Sequence, residues 1–285
     1  MGPDGAPVTS TFFGTSTIHV TDGRSGILID GFLTRPPLLR VACGRIAPDL
    51  QRITADLARG GVGRLDALFV AHSHYDHVMD APAIVGLQGG TLYGSESTLN
   101  VGRGAKLAEA SLAVIRDGAE VTVGAFTVRI FEGLHSPGDR YPGTIDVPLA
   151  SPARARAYRT GACYSFLIMH PTGSVLVHPS ANFVPHRFDD LRVDLLYLGV
   201  GALGAQPEQF REEYWRHVVE ATRPGCVVPV HWDDFGRPLR RKLRPMPFFL
   251  DRFSRTREFL DRKAAAAGVA WRFQQPFETI TPFDL

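Results

Sequence analysis

The sequence is poor in cysteine, which limits the ways in which its fold can be held together. Three of the 285 residues are cysteines, namely Cys43, Cys163 and Cys226. An odd and widely spaced set is typical neither of a disulfide-rich scaffold nor of a paired-cysteine zinc site. We therefore predict free thiols and a reducing, cytoplasmic location.

Net charge and long hydrophobic runs are scarce as well. The formal net charge is +2, which is too small to indicate nucleic acid as a partner. The start, residues 1–5, lacks a basic segment followed by an apolar one, and no later segment has the apolar length needed to cross a bilayer. The sequence thus predicts a soluble protein without a membrane span, and it leaves the oligomeric state open.

The motifs of covalent hydrolases are also missing. There is no Gly-x-Ser-x-Gly elbow, and the cysteines have no neighbouring histidine pattern, so serine or cysteine nucleophiles are not indicated. Residues 199–204 match the spacing of a dinucleotide fingerprint, but Pro207 and the polar helix after it favour a loop instead of a nucleotide site.

The remaining composition is that of an ordinary globular protein. Hydrophobic residues make up 44% and charged residues 21%, and we predict one domain over residues 1–285. Apolar runs and alternations predict strands at 9–21, 26–30, 65–71, 90–93, 121–123, 126–131, 164–169, 174–178, 194–198 and 226–231. Helical spacing predicts helices at 48–60, 207–222 and 248–267. Strands and helices alternate without a repeat, which indicates an α/β fold.

A dense group of metal-binding side chains follows one predicted buried strand. His72, His74, Asp76 and His77 fall within six residues, immediately after the apolar run 65–71. In an extended segment, side chains two residues apart point to the same side, so His72 and His74 can share one metal. If a helix then begins, Asp76 and His77 project towards an adjacent position. Nitrogen and oxygen donors of this kind suit zinc, so we predict a metal centre.

In this cluster the sequence resembles the metallo-β-lactamase superfamily, whose His-x-His-x-Asp-His motif it matches. The resemblance covers nearly the whole chain. The early strand that ends in Asp30, and the later histidines His135 and His231, match family positions in the order of the family. Trp232 to Phe235 resemble a subgroup that includes ascorbate-phosphate lactonases and the phospholipase D acting on N-acylethanolamine phospholipids.

The resemblance implies a particular fold and two neighbouring metal sites. The fold would be a four-layer αβ/βα sandwich. The implied ligands are His72, His74 and His135 for the first metal, and Asp76, His77 and His231 for the second. The cofactor would then be one or two Zn²⁺ ions, with Mn²⁺ or Fe²⁺ as alternatives.

The sequence departs from the family pattern at one position. Where the superfamily supplies an aspartate that bridges two metals, the alignment places Ala181. Loss of this negative charge would weaken the second site, or leave a single-metal enzyme. His178, Ser180 and Asn182 are candidates to substitute in part, and His178 is interpreted either as a ligand or as a histidine packed beside the site.

The predicted chemistry is hydrolysis. Zinc held by three histidines keeps an open position for water and lowers the pKa of that water towards neutrality. Asp76 is the predicted catalytic residue, because its carboxylate can orient the water and accept its proton. Asp30 is interpreted as the acceptor of a hydrogen bond from a ligand imidazole, or as a turn former. The substrate would be a small molecule with an ester-like bond, such as a lactone, phosphodiester or amide.

Two alternative functions stay open. Histidine and carboxylate ligands also suit iron, so an iron-dependent oxygenase or redox member of the superfamily is one alternative. The other is a non-catalytic, metal-binding regulatory or interaction protein that lost turnover together with the bridging aspartate. Metal analysis and a broad substrate panel distinguish the three.

Three segments bear on the substrate. The basic run 237–244 would make the entrance electropositive and favour an anionic substrate, or would be a solvated loop. The apolar run 245–250 would form a lid, or cap the core. The long segment 133–162 is rich in Pro, Arg, Gly and Ala, and we expect it to border the active site.

Overall fold

In the computed structural model, which describes residues 7–285, the strands gather into two mixed sheets. In chain order they are β1 (Thr9–Phe12), β2 (Ile18–Thr21), β3 (Gly26–Ile29), β4 (Ala67–Phe69), β5 (Thr91–Gly94), β6 (Leu112–Val114), β7 (Glu120–Val123), β8 (Phe126–Gly133), β9 (Cys163–His170), β10 (Gly173–His178), β11 (Leu195–Gly199), β12 (Cys226–Val230), β13 (Ala270–Trp271) and β14 (Thr279–Ile280). The first sheet has the order β14-β1-β2-β3-β4-β5-β6, and the second has the order β13-β12-β11-β10-β9-β8-β7.

Helices connect the parallel strands of each sheet. They are α1 (Leu38–Cys43), α2 (Leu50–Arg59), α3 (Tyr75–Val78), α4 (Ala81–Gln88), α5 (Glu96–Gly104), α6 (Glu208–Tyr214), which continues as a π-helix over Trp215–Glu220, and α7 (Phe253–Ala267). Short 3-10 turns lie at Glu109–Ser111, Ala155–Ala157 and Leu203–Ala205. Parallel strands such as β3 and β4, or β11 and β12, require crossover connections, which place helices on the outer faces of the sheets.

The inner faces of the two sheets pack against each other. The ring of Phe69 on β4 lies 5.5 Å from that of Phe166 on β9. The Ser10 hydroxyl on β1 and the Tyr197 hydroxyl on β11 are 2.7 Å apart. Both phenylalanines are fully buried, and burial of such a side chain contributes about 1.5–3 kcal/mol. The layers are helix, sheet, sheet and helix, so the predicted αβ/βα sandwich is confirmed.

Most predicted elements are present, and the clearest difference lies before the last helix. The sequence predicted a helix over 248–267, but α7 begins at Phe253. Pro245 and Pro247 disfavour helical backbone in the residues before them, so the chain turns instead. Phe248 and Phe249 are 82% and 73% exposed, so the interpretation of 245–250 as a cap on the core is wrong.

Helix α4 was not predicted, and its burial explains why. Ala81, Pro82, Ile84 and Val85 are all buried, and they lie on more than one face of the helix. A helix that is apolar all round gives no amphipathic period from which it could be recognised. Helix α2, by contrast, has one apolar face and a capping Asp49, whose side chain accepts from Arg52 N–H, and it was predicted.

The remaining expectations about the chain concern thiols and membranes. Cys43, Cys163 and Cys226 are free, as predicted. No helix within residues 7–285 is both long and apolar enough to cross a membrane. The interpretation of residues 1–5 as lacking a leader lies outside the described residues.

Candidate metal centre

The central histidine cluster lies at the carboxyl end of β4. The chain leaves this strand at Phe69, bends at Ala71 and is extended at His74, whose φ and ψ are −65° and 152°. Helix α3 then begins at Tyr75, so Asp76 and His77 lie in its first turn. His72 is 2% exposed and His77 is fully buried. The extended segment followed by a helix start is the local geometry that the sequence predicted.

Two further histidines reach the same edge from the second sheet. His135 follows the end of β8 by two residues, and His231 follows β12 directly. The backbone of His231 is left-handed, with φ of 62°, a conformation that is uncommon for residues other than glycine. Its N–H donates to the Thr15 carbonyl at 2.6 Å, which holds the turn in place.

The predicted ligands lie in two neighbouring groups. In each group, one possible donor atom per residue lies within 4.8 Å of the others: His72, His74 and His135 form the first, and Asp76, His77 and His231 form the second. The rings of His72 and His77 join the groups, with centroids 3.8 Å apart. Either group could hold a metal ion, and the assignment of these residues as ligands stays a prediction.

The first group contains buried nitrogens that fit a metal. Among the described residues, neither ring nitrogen of His72 has a hydrogen-bond partner, although both are buried. An unsatisfied buried polar atom costs about 1–3 kcal/mol, so a cation would relieve a real deficit. His135 donates from Nδ1 to the Ser136 carbonyl at 2.8 Å, which leaves its Nε2 as the free donor atom.

The imidazoles of the first group are held in the neutral form that binds metals. Burial and the neighbouring histidines keep the pKa of His72 well below its usual range. Burial, followed by the charge of His74, lowers the pKa of His135 to about 4. At neutral pH each ring therefore keeps a nitrogen lone pair, which is what a metal ligand requires.

The second group combines two imidazoles with a carboxylate. His77 Nε2 lies 3.2 Å from His231 Nε2, and Asp76 Oδ2 lies 3.3 Å from His231 Nε2. Burial alone would raise the pKa of Asp76, but the hydrogen bond with His231 and the nearby histidines lower it strongly. Burial opposes ionisation of His231, yet the Asp76 carboxylate raises its pKa overall. The converging donors and the ionised carboxylate suit a divalent cation.

A buried carboxylate and a hydroxyl support His77 from behind. Asp30 Oδ2 accepts from His77 Nδ1 at 2.7 Å, and Ser16 Oγ lies 3.1 Å from the same nitrogen. Ser16 donates to Asp30 Oδ2 at 2.5 Å, and Ala71 N–H donates to Asp30 Oδ1 at 2.8 Å. The hydrogen on Nδ1 leaves Nε2 of His77 as the atom that faces the second site. Asp30 therefore accepts from a candidate ligand imidazole and is more than a turn former.

A second carboxylate and hydroxyl reach His74. Thr160 Oγ1 lies 3.0 Å from His74 Nε2, and Asp139 Oδ1 lies 3.2 Å from it. Both residues belong to the long segment 133–162. This segment thus borders the candidate site, as predicted.

Ala181, for which the sequence predicts the bridging position, is linked to the residue that follows His135. Ala181 is 1% exposed, and its N–H donates to Ser136 Oγ at 2.8 Å. Ser136 follows His135 directly, and the side-chain amide of Asn182 donates to the His135 carbonyl at 2.7 Å. The segment after β10 therefore holds the backbone of His135 with neutral groups.

His178 acts through this segment. Its Nδ1 lies 2.7 Å from Ser165 Oγ, and its Nε2 lies 2.8 Å from the Asn182 carbonyl. Burial lowers the pKa of His178 to about 4, so the ring is neutral. Both ring nitrogens already have partners, which favours the interpretation of His178 as a histidine packed beside the site.

The loop after His231 is fixed by a buried ion pair. Arg35 and Asp233 form a salt bridge in which both side chains are fully buried. Asp233 Oδ1 also accepts from Thr15 N–H at 2.8 Å. Because Thr15 accepts from the His231 backbone, the ion pair holds the turn that carries His231.

Aromatic side chains line the surroundings of both groups. The ring of Phe235 lies 5.8 Å from that of His231 and 6.4 Å from that of Tyr75. Beside the first group, the ring of Tyr141 lies 6.2 Å from that of His74.

Sequence reasoning missed four residues that support or border the centre, namely Ser16, Asp139, Tyr141 and Thr160. Asp139, Tyr141 and Thr160 had one sequence signal, the length and composition of segment 133–162, and Ser16 had none.

Comparison with known proteins finds one relative among metal-dependent hydrolases. No family model matches the chain. A UPF0173 metal-dependent hydrolase from Roseiflexus castenholzii is 24% identical over 239 residues, which cover 82% of this chain and 86% of that protein.

Solved structures are similar over almost the whole chain. Igni18, a metallo hydrolase from the archaeon Ignicoccus hospitalis, is 18% identical with a TM-score of 0.60, over 96% of this chain and 97% of its own. CmlA, a diiron β-hydroxylase from Streptomyces venezuelae, is 16% identical with a TM-score of 0.61, over 96% of this chain and 54% of its own. Likeness at this level of identity shows the fold alone.

The two-sheet sandwich with outer helices is the metallo-β-lactamase fold. The two groups of possible metal ligands and the hydrolase relative support a metal-dependent hydrolase of this fold. The predicted fold is therefore confirmed. The narrower subgroup, the metal and the cytoplasmic location stay predictions.

Proposed function

We propose that this protein hydrolyses an ester-like bond, such as a lactone, phosphodiester or amide, in a small-molecule substrate. The observation that carries the proposal is the pair of adjacent three-donor groups at the carboxyl ends of the central strands. The relative named a metal-dependent hydrolase supports the same reaction class.

The donor set supports one or two zinc ions, with Mn²⁺ or Fe²⁺ as alternatives, because histidine and carboxylate ligands without thiolates suit all three. The first ion would be held by His72, His74 and His135, and the second by Asp76, His77 and His231. When bound, such an ion polarises a substrate oxygen and makes a hydroxide nucleophile available near neutral pH.

Asp76 is the proposed catalytic residue. Its side chain is 11% exposed, its carboxylate lies 3.3 Å from His231 Nε2, and its lowered pKa keeps it ionised at neutral pH. An ionised carboxylate in this place accepts a hydrogen bond from the attacking water and so orients it. A strongly lowered pKa makes a weak base, so we assign Asp76 mainly this orienting role, with transient acceptance of the proton.

The surroundings support a partly apolar, anionic substrate. Phe235 offers an aromatic ring beside His231 of the second group, and Tyr141 offers one beside His74 of the first. The basic run 237–244 returns to this place, because Asp234 N–H donates to the Arg244 carbonyl at 2.7 Å. Exposed cations beside the entrance would attract a phosphate or carboxylate.

Iron-dependent oxygenation is the second candidate. The observation that favours it is the donor set itself, which suits iron as well as zinc, together with the likeness to a diiron β-hydroxylase. The third candidate is a non-catalytic, metal-binding regulatory protein, which is based on the absence of an aspartate at the predicted bridging position.

Metal analysis combined with a substrate panel tests these candidates. The protein is assayed against lactones, phosphodiesters and amides with zinc, manganese or iron, while oxygen consumption is followed. His72→Ala should abolish tight metal binding and turnover, whereas His186→Ala, which removes an exposed histidine, should leave both unchanged. Oxygen-dependent turnover would favour the oxygenase. Tight metal binding without any turnover would favour the regulatory role.

A further inference from the structure

We propose that Asp139 and Thr160 form a loop-borne clasp that selects which ring nitrogen His74 presents to the first metal. The proposal rests on the metal centre described above, but not on the bond that the enzyme cleaves. In the proposal Asp139 is a positioning residue and not a ligand. In residues 7–285, the donor atoms that converge with His74 come from His72 and His135 and do not include Asp139.

The argument begins with the hydrogen-bonding roles of the three side chains. Thr160 Oγ1 donates its single hydrogen to Asp139 Oδ2, in a short contact, or to the Tyr141 carbonyl at 3.1 Å. In either case its oxygen is left as an acceptor towards His74 Nε2, 3.0 Å away. Asp139 Oδ1, at 3.2 Å from the same nitrogen, is also an acceptor.

With acceptors on this side, His74 Nε2 must carry the hydrogen. A metal-ligating imidazole is neutral and has one N–H, so the lone pair then resides on Nδ1. The clasp thus turns Nδ1 of His74 towards the metal and prevents the other tautomer. Partners of this kind typically change metal affinity by about 10- to 100-fold when they are removed.

The clasp also ties the long loop to the central motif. Thr160 N–H donates to the Tyr141 carbonyl at 3.0 Å, and Tyr141 N–H donates to Asp139 Oδ1 at 2.9 Å. Ser73 N–H, next to His74, donates to the Thr160 carbonyl at 2.8 Å. The two limbs of the loop are therefore joined to each other and to the motif. The loop that supplies His135 also orients His74, so its order and the affinity of the first site are coupled.

Zinc affinity, measured by competition with a chromophoric chelator, gives the first test. Asp139→Ala and Thr160→Val should each weaken binding of the first zinc by about 10- to 100-fold. Thr160→Ser keeps the hydroxyl and should retain near-wild-type affinity. Asp146→Ala removes an exposed carboxylate from the same loop and should have no effect, which controls for charge alone.

The tautomer of His74 gives a second test that a merely structural role would not move. In zinc-loaded wild type with ¹⁵N-labelled histidine, nuclear magnetic resonance should show His74 protonated on Nε2. In Asp139→Ala the signal should broaden or shift towards a mixture. Circular dichroism of the metal-free variants establishes whether they are folded. If Asp139→Ala does not fold, Thr160→Val takes its place in both tests.

The possible outcomes test the proposed role of Asp139 and Thr160 separately from the existence of the metal centre. Wild-type zinc affinity in both Asp139→Ala and Thr160→Val, or a wild-type His74 protonated on Nδ1, would overturn the clasp while leaving the metal centre intact. Failure of wild-type protein to bind zinc, manganese or iron would overturn the metal centre itself, and the proposed function with it.

Discussion

His74 and His77 are three residues apart, yet different parts of the molecule support them with the same chemistry. Each ring has a carboxylate and a hydroxyl beside one of its nitrogens: Asp30 and Ser16 beside Nδ1 of His77, and Asp139 and Thr160 beside Nε2 of His74. Asp30 lies at the end of β3 and its side chain is fully buried, whereas the Asp139 side chain is 21% exposed and belongs to a loop.

The two rings of one centre thus differ in how firmly their supporting side chains are held. Support that is buried between strands forms together with the core and opens only when much of the protein unfolds. Support from a surface loop can be lost by local opening at much smaller cost. We therefore expect changes at Asp30 to appear in the stability of the fold, and changes at Asp139 to appear in metal affinity.

The largest effect is expected at Asp76, which lies between His74 and His77 in the sequence. Asp76→Asn keeps the shape but removes the charge that orients the attacking water, so kcat should fall by about 100- to 10,000-fold. The three histidines of the first site remain, and metal analysis should still find that site filled. The assay is done at saturating metal, because the second site would be weakened. A wild-type rate on a hydrolysable lactone or phosphodiester would reassign Asp76 as a helix-start residue.

The stability of the metal-free protein tests the comparison directly. Asp30→Ala leaves His77 Nδ1, the Ser16 hydroxyl and the Ala71 N–H without their buried acceptor. At about 1–3 kcal/mol for an unsatisfied group, the loss should reach about 3 kcal/mol or more. Asp139→Ala, on the exposed loop, should cost less than about 1 kcal/mol. Urea denaturation measures both variants, and equal losses would remove the distinction between the two supports.

A substitution at Ala181 should change the ratio of the two metal affinities, and this effect should be smaller than those at Asp76 and Asp30. Wild-type protein should bind its first metal much more tightly than its second, because Ala181 supplies no carboxylate. Ala181→Asp would place a negative charge at the position that the family resemblance assigns to the bridge, and should narrow the difference between the two affinities by about tenfold, or about 1.4 kcal/mol. Ala181→Asn is the control, because the Asn side chain has nearly the size of the Asp side chain but no charge. Calorimetry that finds two equally tight metals in wild type would contradict this prediction.

The sequence predicted the parts of the centre that depend on local order along the chain. His72, His74, Asp76 and His77 follow one another across the end of a strand and the start of a helix, so their arrangement follows from the periods of those elements. His135 was placed by its order relative to the family motif.

The supporting side chains could not be predicted in the same way. Ser16 is 61 residues from His77, and Thr160 is 86 residues from His74. Their hydrogen bonds depend on how the β1–β2 turn and a long loop pack in three dimensions, and no periodic pattern records that packing. Helix α4 escaped prediction for a related reason, since its burial on several faces removes the contrast between apolar and polar positions.

The smallest effect is expected at Ser16, and it separates the roles of hydroxyl and carboxylate in the buried support. Ser16→Ala removes one donor to Asp30, which still accepts from His77 at 2.7 Å and from Ala71 at 2.8 Å. Loss of one such hydrogen bond should cost about 1 kcal/mol in the free energy of unfolding, well below the loss for Asp30→Ala. Ser10→Ala removes a buried hydroxyl bonded to Tyr197, away from the metal centre, and provides a matched loss of one bond. If Ser16→Ala destabilised the protein as much as Asp30→Ala does, the hydroxyl, and not the carboxylate, would be the main support of His77.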